Sequence, residues 1–157
     1  VTAMPVGILN IPNFKKNQMG KVTATITVTN DVDQILADRG FIEAEAVRSI
    51  TLENVLVDTG ASMLRFPTAM AEELGLTVKG VTSLETAAGV VEVRIFSHAL
   101  LEVNGRSSTF DCMELTVFVI PLLGVLPMEA LGMEPDLKHQ SLRMLGTNDG
   151  ESYIYAM

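Results

Sequence analysis

The sequence is poor in cysteine, in basic residues and in long apolar runs. Cys112 is the only cysteine in 157 residues, which excludes an internal disulfide and a cysteine-rich metal site and favours a buried, inert thiol. There are 11 Lys and Arg against 19 Asp and Glu, and the formal net charge of -8 disfavours nucleic acid and anionic membrane surfaces as partners. No apolar run approaches the length of a membrane span.

The sequence also has only two histidines and does not open with the pattern of a signal peptide. His98 and His139 lack nearby cysteines and metal-ligand spacing, so we predict solvated or core-edge positions for them, with no metal and no cofactor. The Gly-x-Ser-x-Gly motif of serine hydrolases is absent. No basic segment followed by an apolar one opens the chain, so a cytoplasmic location is the default expectation.

The sequence does contain enough apolar residues for one folded domain. With 157 residues, of which 48% are hydrophobic, it is long enough to bury a substantial core. We assign residues 21–145 to this domain, residues 1–20 to an N-terminal arm and residues 146–157 to a C-terminal tail.

The first third of the domain has the pattern of a β-meander. Residues 21–29 alternate apolar side chains with threonines or lysine, which is typical of a strand with one buried face. Turn-forming residues at 30–31 and 38–40 predict a loop or wide turn between them. Residues 41–51 then predict a strand that returns toward Asp58.

Two hairpins are predicted farther along the chain. Residues 81–95 divide into two strand-like runs around Ala87-Ala88-Gly89. Asn104-Gly105 is the strongest two-residue hairpin signal, and it joins the next two predicted strands.

A strand, a glycine and a short helix occur twice in the sequence. Gly60 precedes a helix predicted from Pro67 to Leu74, and Gly124 precedes a second one that begins at Pro127. The repetition indicates a fold with approximate internal symmetry.

Asp58 occupies an unusual position for a charged residue. The apolar residues 55–57 lead directly into it, and a Thr-Gly turn follows. Asp and Gly are common in ordinary turns, so this feature alone is also compatible with a simple loop. Leu56 and Val57, however, predict a partly desolvated carboxylate, which suits catalysis if a second group completes the site.

With these elements in order, the sequence resembles the retropepsin-like aspartic proteases. The resemblance covers residues 20–145 and rests on Asp58-Thr59-Gly60-Ala61-Ser62 after a hydrophobic strand, a helix ending at Gly75, the glycine-tipped hairpin, and Leu122-Leu123-Gly124. It implies a mainly β fold: a closed, mostly antiparallel acid-protease-like β fold with two short helices, one lobe per chain.

The resemblance also implies which residues form the site. Asp58, Thr59 and Gly60 are expected to be catalytic, with Thr59 bracing two loops and Gly60 offering its backbone to the substrate. Ala61 would allow close packing and Ser62 would touch the substrate backbone. Ala87, Ala88 and Gly89 would form the tip of a flap over the substrate, although Gly89 fits an ordinary hairpin turn equally well.

When carboxyl groups activate the water, peptide hydrolysis needs two of them that share one proton. This sequence has one Asp-Thr-Gly, and its other aspartates lack that context, so the second Asp58 must come from another copy. We therefore expect a homodimer that acts on a peptide or protein substrate, with an acidic pH optimum. Residues 6–11 and 153–157 are candidates for the dimer interface, because termini commonly build it in this family.

Two features leave alternatives open. A dimer of this kind with little or no turnover would act as a peptide-binding or assembly module, since a fold does not by itself secure an activity. The family often has Arg after its apolar-apolar-Gly element, and its viral members often have Asp at the position of Ser62. This chain has Val125 and Ser62 instead, so both partners of that ion pair are missing together and the strength of the dimer is left open.

Overall fold

A computed structural model describes residues 21–115 and 120–146 of the chain. The predicted arm (residues 1–20), the predicted strand residues 116–119 and residues 147–157, including the interface candidates, lie outside the described residues. In chain order the elements are β1 (Thr23–Asn30), α1 (Asp31–Asp38), a 3-10 turn (Ala44–Ala46), β2 (Ser49–Val57), β3 (Leu64–Pro67), α2 (Thr68–Leu74), β4 (Thr77–Thr86), β5 (Gly89–Val103), β6 (Arg106–Leu115), β7 (Leu122–Leu123), α3 (Val125–Ala130), β8 (Met133–Asp136) and β9 (Ser141–Met144).

The main sheet closes into a barrel. Its strand order is β1-β2-β7-β3-β6-β5-β4, and β1 also pairs with β5, which joins the two sides of the sheet. The pairs β2–β7 and β3–β6 are parallel, and the others are antiparallel. The mainly β, mostly antiparallel fold predicted from the sequence is confirmed. Strands β8 and β9 form a separate hairpin.

Strand β5 belongs to both the barrel and a projecting hairpin. From Gly89 to Ser97 it pairs with β4, and from Ala99 to Glu102 it pairs with β1. The change of partner falls at His98, where φ is 65° and the register with β6 shifts. A bulge of this kind bends a strand, and here it lets the β4–β5 hairpin leave the barrel.

The barrel interior holds the hydrophobic core. One face of the sheet contributes fully buried side chains, and α2 and α3 cover it, with the core residues including Ile26, Val55, Leu64, Phe66, Met70, Leu74, Phe96, Leu101, Cys112, Leu123, Met128 and Leu131. Cys112 is fully buried as predicted, and burial, followed by the charge of Asp111, raises the pKa of its thiol to about 12.

The segment between β1 and β2 corrects the sequence interpretation. Residues 31–38, predicted to be a loop, form helix α1, and the returning strand begins at Ser49 rather than at residue 41. Asn30 is the N-cap: its side chain accepts a hydrogen bond from the Asp33 backbone N–H at 3.0 Å. Asn and Gly occur both in turns and at helix ends, so the flanking residues did not distinguish a loop from a short capped helix.

Most of the other local signals are confirmed, but the second short helix begins at Val125, directly after Gly124, rather than at Pro127. Helix α2 follows Pro67 and ends at Gly75, which has a left-handed φ of 67°. Asn104 and Gly105 have φ values of 50° and 84°, as a two-residue hairpin requires. The two strand-glycine-helix units lie side by side, because β2 pairs with β7 in parallel register. Within the described residues, none of the helices has the length and apolar character needed to cross a bilayer.

Candidate active site

The loop of residues 58–63 begins where β2 ends, at the centre of the sheet. Leu56 and Val57 pair with Leu122 and Leu123 of β7, and the Asp58 backbone N–H donates to the Leu123 carbonyl at 3.0 Å. This last bond extends the β2–β7 ladder to Asp58 itself. The aspartate therefore stands on a backbone that is fixed by its neighbouring strand.

The loop is also closed on itself. The Gly60 N–H donates to Asp58 Oδ1 at 2.8 Å, and the Ala61 N–H donates to the Asp58 carbonyl at 3.1 Å. This is a turn in which the Asp side chain substitutes for a backbone acceptor. A Cβ at position 60 would lie 3.1 Å from Asp58 Oδ1, so glycine keeps the carboxylate and the backbone close together.

Helix α3 holds the far side of the loop. Its first two N–H groups are used: Val125 donates to the Ala61 carbonyl at 2.8 Å, and Leu126 donates to the Ser62 carbonyl at 3.0 Å. Gly124 makes this approach possible, because a Cβ there would lie 2.5 Å from the Met63 carbonyl oxygen. Ser62 and Val125 thus lie in segments that are joined through the backbone.

Burial differs from residue to residue along the loop. Val55 is buried, but Leu56, Val57 and Asp58 are only half-buried. Ala61 is 4% exposed and packs inward, whereas Thr59, Gly60 and Ser62 are exposed. The structure therefore places the five consecutive site residues, 58–62, in one hydrogen-bonded loop with an accessible outer surface.

The other predicted site residues lie at the tip of the β4–β5 hairpin. Ala87, Ala88 and Gly89 are exposed, and Gly89 has a φ of 114°. The tip is stabilised from within, since the Thr86 hydroxyl donates to the Gly89 carbonyl at 2.7 Å and accepts from the Ala88 N–H at 3.2 Å. In the described part of the chain, no hydrogen bond joins this tip to the loop of residues 58–63.

Other described aspartates have structural partners. Asp33 accepts hydrogen bonds from the Arg48 side chain through both carboxylate oxygens, at 2.8 and 3.0 Å. The side-chain hydrogen bond from Arg48 lowers the pKa of Asp33 despite its burial. Asp111 pairs with Lys79. None of these contacts resembles the environment of Asp58.

The two histidines are both exposed, as predicted. His139 Nδ1 lies 2.7 Å from Asp136 Oδ2, and this side-chain hydrogen bond lowers the pKa of Asp136. Within residues 21–115 and 120–146, no group of three His, Cys, Asp or Glu side chains is arranged to hold a metal ion.

A partly buried ion pair at the base of the β4–β5 hairpin was not predicted from the sequence. Glu114 on β6 is 5% exposed and meets Arg94 on β5, with Arg94 Nη2 at 2.9 Å from its Oε1, while the Thr68 hydroxyl donates to the same oxygen at 2.8 Å. Burial opposes ionisation of Glu114, but the hydrogen bonds from Arg94 and Thr68 outweigh it and lower the pKa. Strand alternation is the one sequence signal that indicates burial of Glu114, because it lies two residues after Cys112 and therefore on the same face of the strand.

Comparison with known proteins identifies a family. A sequence model described as aspartyl protease matches residues 46–135, more than half of the chain, from the 3-10 turn to β8. The match contains the loop of residues 58–63, the β4–β5 hairpin and Gly124. No curated protein matches the chain.

Proposed function

The chain belongs to the aspartyl protease family, in agreement with its resemblance to the retropepsin-like enzymes, and on this premise we propose that it is an endopeptidase built around Asp58. The observation that carries the proposal is the loop of residues 58–63. It presents a half-buried carboxylate on a backbone that β7 and α3 hold through hydrogen bonds. Catalytic groups need such a fixed position, because small displacements are costly in rate.

The chemistry requires a second carboxyl group, and we propose that a second copy of the chain supplies it. In a two-fold symmetric dimer, each Asp58 would face the Asp58 of its partner, and the pair would share one proton. The ionised member would act as the general base toward water, and the protonated member would donate a hydrogen bond to the peptide carbonyl. An acidic pH optimum follows, because raising the pH removes the shared proton.

We assign the surrounding residues in the same way. Thr59 would brace the two loops of the dimer, Gly60 and Ser62 would contact the peptide backbone, and Ala61 would pack beneath them. The hairpin tip of Ala87, Ala88 and Gly89 would fold over the bound peptide. The exposure of this tip, and its internal hydrogen bonds, are compatible with movement as a unit.

The first test replaces Asp58 with asparagine and measures cleavage of a mixed peptide library at several pH values. Asp58→Asn should lower the cleavage rate by roughly 10²–10⁴-fold or more, because it removes the general base and the shared proton. Asp38→Asn is a suitable control, since Asp38 is an exposed residue whose carboxylate meets only the Gln34 side chain among the described residues. Cleavage that survives Asp58→Asn, or that keeps rising above neutral pH, would reject this mechanism.

Mixing subunits tests the dimer directly. When equal amounts of wild-type and Asp58→Asn protein exchange subunits, about a quarter of the dimers contain two wild-type chains. Only these dimers have two aspartates, so the mixture should retain about a quarter of the activity of the same total amount of wild-type protein. Sedimentation would report the dimer independently. Retention of half the activity would indicate that one chain suffices. A dimer that binds peptides without cleaving any of them would instead support a role as a binding or assembly module.

A further inference from the structure

One row of side chains crosses the sheet on the face opposite the core. Residues that are partners in a sheet place their side chains on the same face. The row crosses β2, β7, β3, β6 and β5 through four partner pairs: Leu56↔Leu122, Arg65↔Leu122, Arg65↔Met113 and Ile95↔Met113. We call these residues the outer row: Leu56, Leu122, Arg65, Met113 and Ile95. Their neighbours in sequence face inward and belong to the core, as Leu64, Phe66, Cys112, Phe96 and Leu123 do.

The outer row begins beside Asp58. Side chains alternate along a strand, so Asp58, two residues after Leu56, falls on the same face as the row. The hydrogen bond from the Asp58 N–H to the Leu123 carbonyl keeps Asp58 in the β2–β7 ladder at this point. The same row ends on β5 at the base of the β4–β5 hairpin. A peptide that is cleaved at Asp58 and covered by this hairpin would therefore lie against the outer row.

Arg65 is the only charged residue in that row. It is half-buried, and its Nε is buried without a hydrogen-bond partner among the described residues. Three other arginines are satisfied: Arg48 and Arg94 meet carboxylates, and Arg106 donates to backbone carbonyls. Burying an N–H donor without an acceptor is costly, so an incoming acceptor at this position would be favoured.

We propose that Arg65 determines substrate specificity by binding a carboxylate of the peptide, an Asp or Glu side chain close to the scissile bond. This inference rests on the proposed endopeptidase function. The guanidinium presents its donors in a planar fork that matches a carboxylate, and charge-assisted hydrogen bonds are the strong ones. The half-buried Leu56, Leu122 and Ile95 would contact the apolar parts of the same peptide.

The test compares the peptides that wild-type protein and two variants cleave. Arg65→Met keeps the length and the apolar stem of the side chain but removes its donors, and Arg39→Met is the matched control on the exposed end of α1. Cleavage sites from a mixed peptide library are identified by mass spectrometry at about pH 6, where Asp and Glu, with reference pKa values of about 3.9 and 4.3, are ionised.

Wild-type protein should cleave sites enriched in Asp or Glu at one fixed position, and the enrichment should disappear in Arg65→Met but persist in Arg39→Met. For the best site, kcat/KM should fall roughly tenfold or more when Glu is replaced by Gln, since hydrogen bonds to charged groups have about that effect. The loss should appear mainly in KM. Equal cleavage of the Glu and Gln peptides by wild-type protein, or enrichment that survives Arg65→Met, would overturn the assignment.

Two further variants keep the test informative if Arg65→Met does not fold. Arg65→Lys keeps the charge without the fork, so it should retain a weaker preference for acidic peptides, and Arg65→Glu should reverse the preference toward Lys and Arg.

If wild-type protein cleaves nothing, the proposed function fails. Calorimetric titration of Asp58→Asn protein with Glu and Gln versions of the library peptides then tests Arg65 alone. Equal affinities, or no binding of either version, would overturn its role.

Discussion

Replacing Gly124 with alanine should lower the rate of peptide cleavage strongly while the protein still folds. The added Cβ would lie 2.5 Å from the Met63 carbonyl oxygen, 2.6 Å from the Ser62 carbonyl carbon and 2.7 Å from the Met63 nitrogen. All three are backbone atoms, so no side chain can rotate to make room. Either α3 or the loop of residues 58–63 has to move.

The size of the movement follows from these distances. The contact with the Met63 oxygen falls short of an ordinary 3.4 Å contact by about 0.9 Å, and a displacement of this size at a catalytic group can cost about 10²-fold in rate. Overpacking costs about 1–3 kcal/mol, and two stretched hydrogen bonds at Ala61 and Ser62 add a fraction of their roughly 0.5–1.5 kcal/mol each. The total of about 2–4 kcal/mol corresponds to a fall in Tm of roughly 5–15 °C.

Thermal denaturation and peptide cleavage measure the two effects, with Gly80→Ala as the matched control. A Cβ at Gly80 meets nothing within 4 Å, and its φ is outside the left-handed region, so this variant should keep wild-type Tm and kcat/KM. Gly124→Ala should lose activity at temperatures where it is fully folded. A wild-type Tm and wild-type kcat/KM for Gly124→Ala would refute the reasoning that α3 and the loop of residues 58–63 meet without spare room.

Two other predictions concern buried groups. Arg94→Met should destabilise the fold at pH 7, because it leaves the buried carboxylate of Glu114 without its cationic partner. Despite burial, the hydrogen bonds from Arg94 and Thr68 lower the pKa of Glu114, so its pairing stabilises the fold at neutral pH and this contribution is lost as the pH falls through that lowered pKa. The difference in unfolding free energy between wild type and Arg94→Met, measured by urea unfolding, should therefore shrink from pH 7 to pH 4. A constant difference would contradict this. Cys112, with a thiol pKa raised to about 12, should react with a thiol reagent far more slowly in native than in unfolded protein, and equal rates would show that the thiol is accessible.

Local signals in the sequence were sufficient for most of the strands and turns. Residues 21–29 predicted β1 because one face of the strand is buried and the alternation therefore appears in the sequence. Asn104-Gly105 predicted its hairpin because both residues must adopt positive φ. The repeated strand-glycine-helix unit predicted internal symmetry, and β2 and β7 do lie side by side.

Features that depend on distant residues were beyond such signals. Helix α1 owes its position to Asn30, which caps its first turn and donates to the Leu74 carbonyl at 2.8 Å, a contact across 44 residues. The pairing of Arg94 with Glu114 joins two strands through their register. Arg65 lay within an apolar run, and only the register of β3 with β6 and β7 places it in the outer row.

The carboxylate of Asp58 differs from the structural aspartates in how many of its oxygens are occupied. Asp33 uses both of its oxygens within the chain, in bonds to Arg48, and a carboxylate saturated in this way has little capacity for another partner. In the described residues Asp58 accepts a single side-chain hydrogen bond, from Gly60 to Oδ1, while backbone bonds from β7 and α3 hold its loop. Because the backbone does the positioning, Asp58 Oδ2 has no hydrogen-bond partner among the described residues, and the pairing of two Asp58 copies proposed above needs such an unoccupied oxygen.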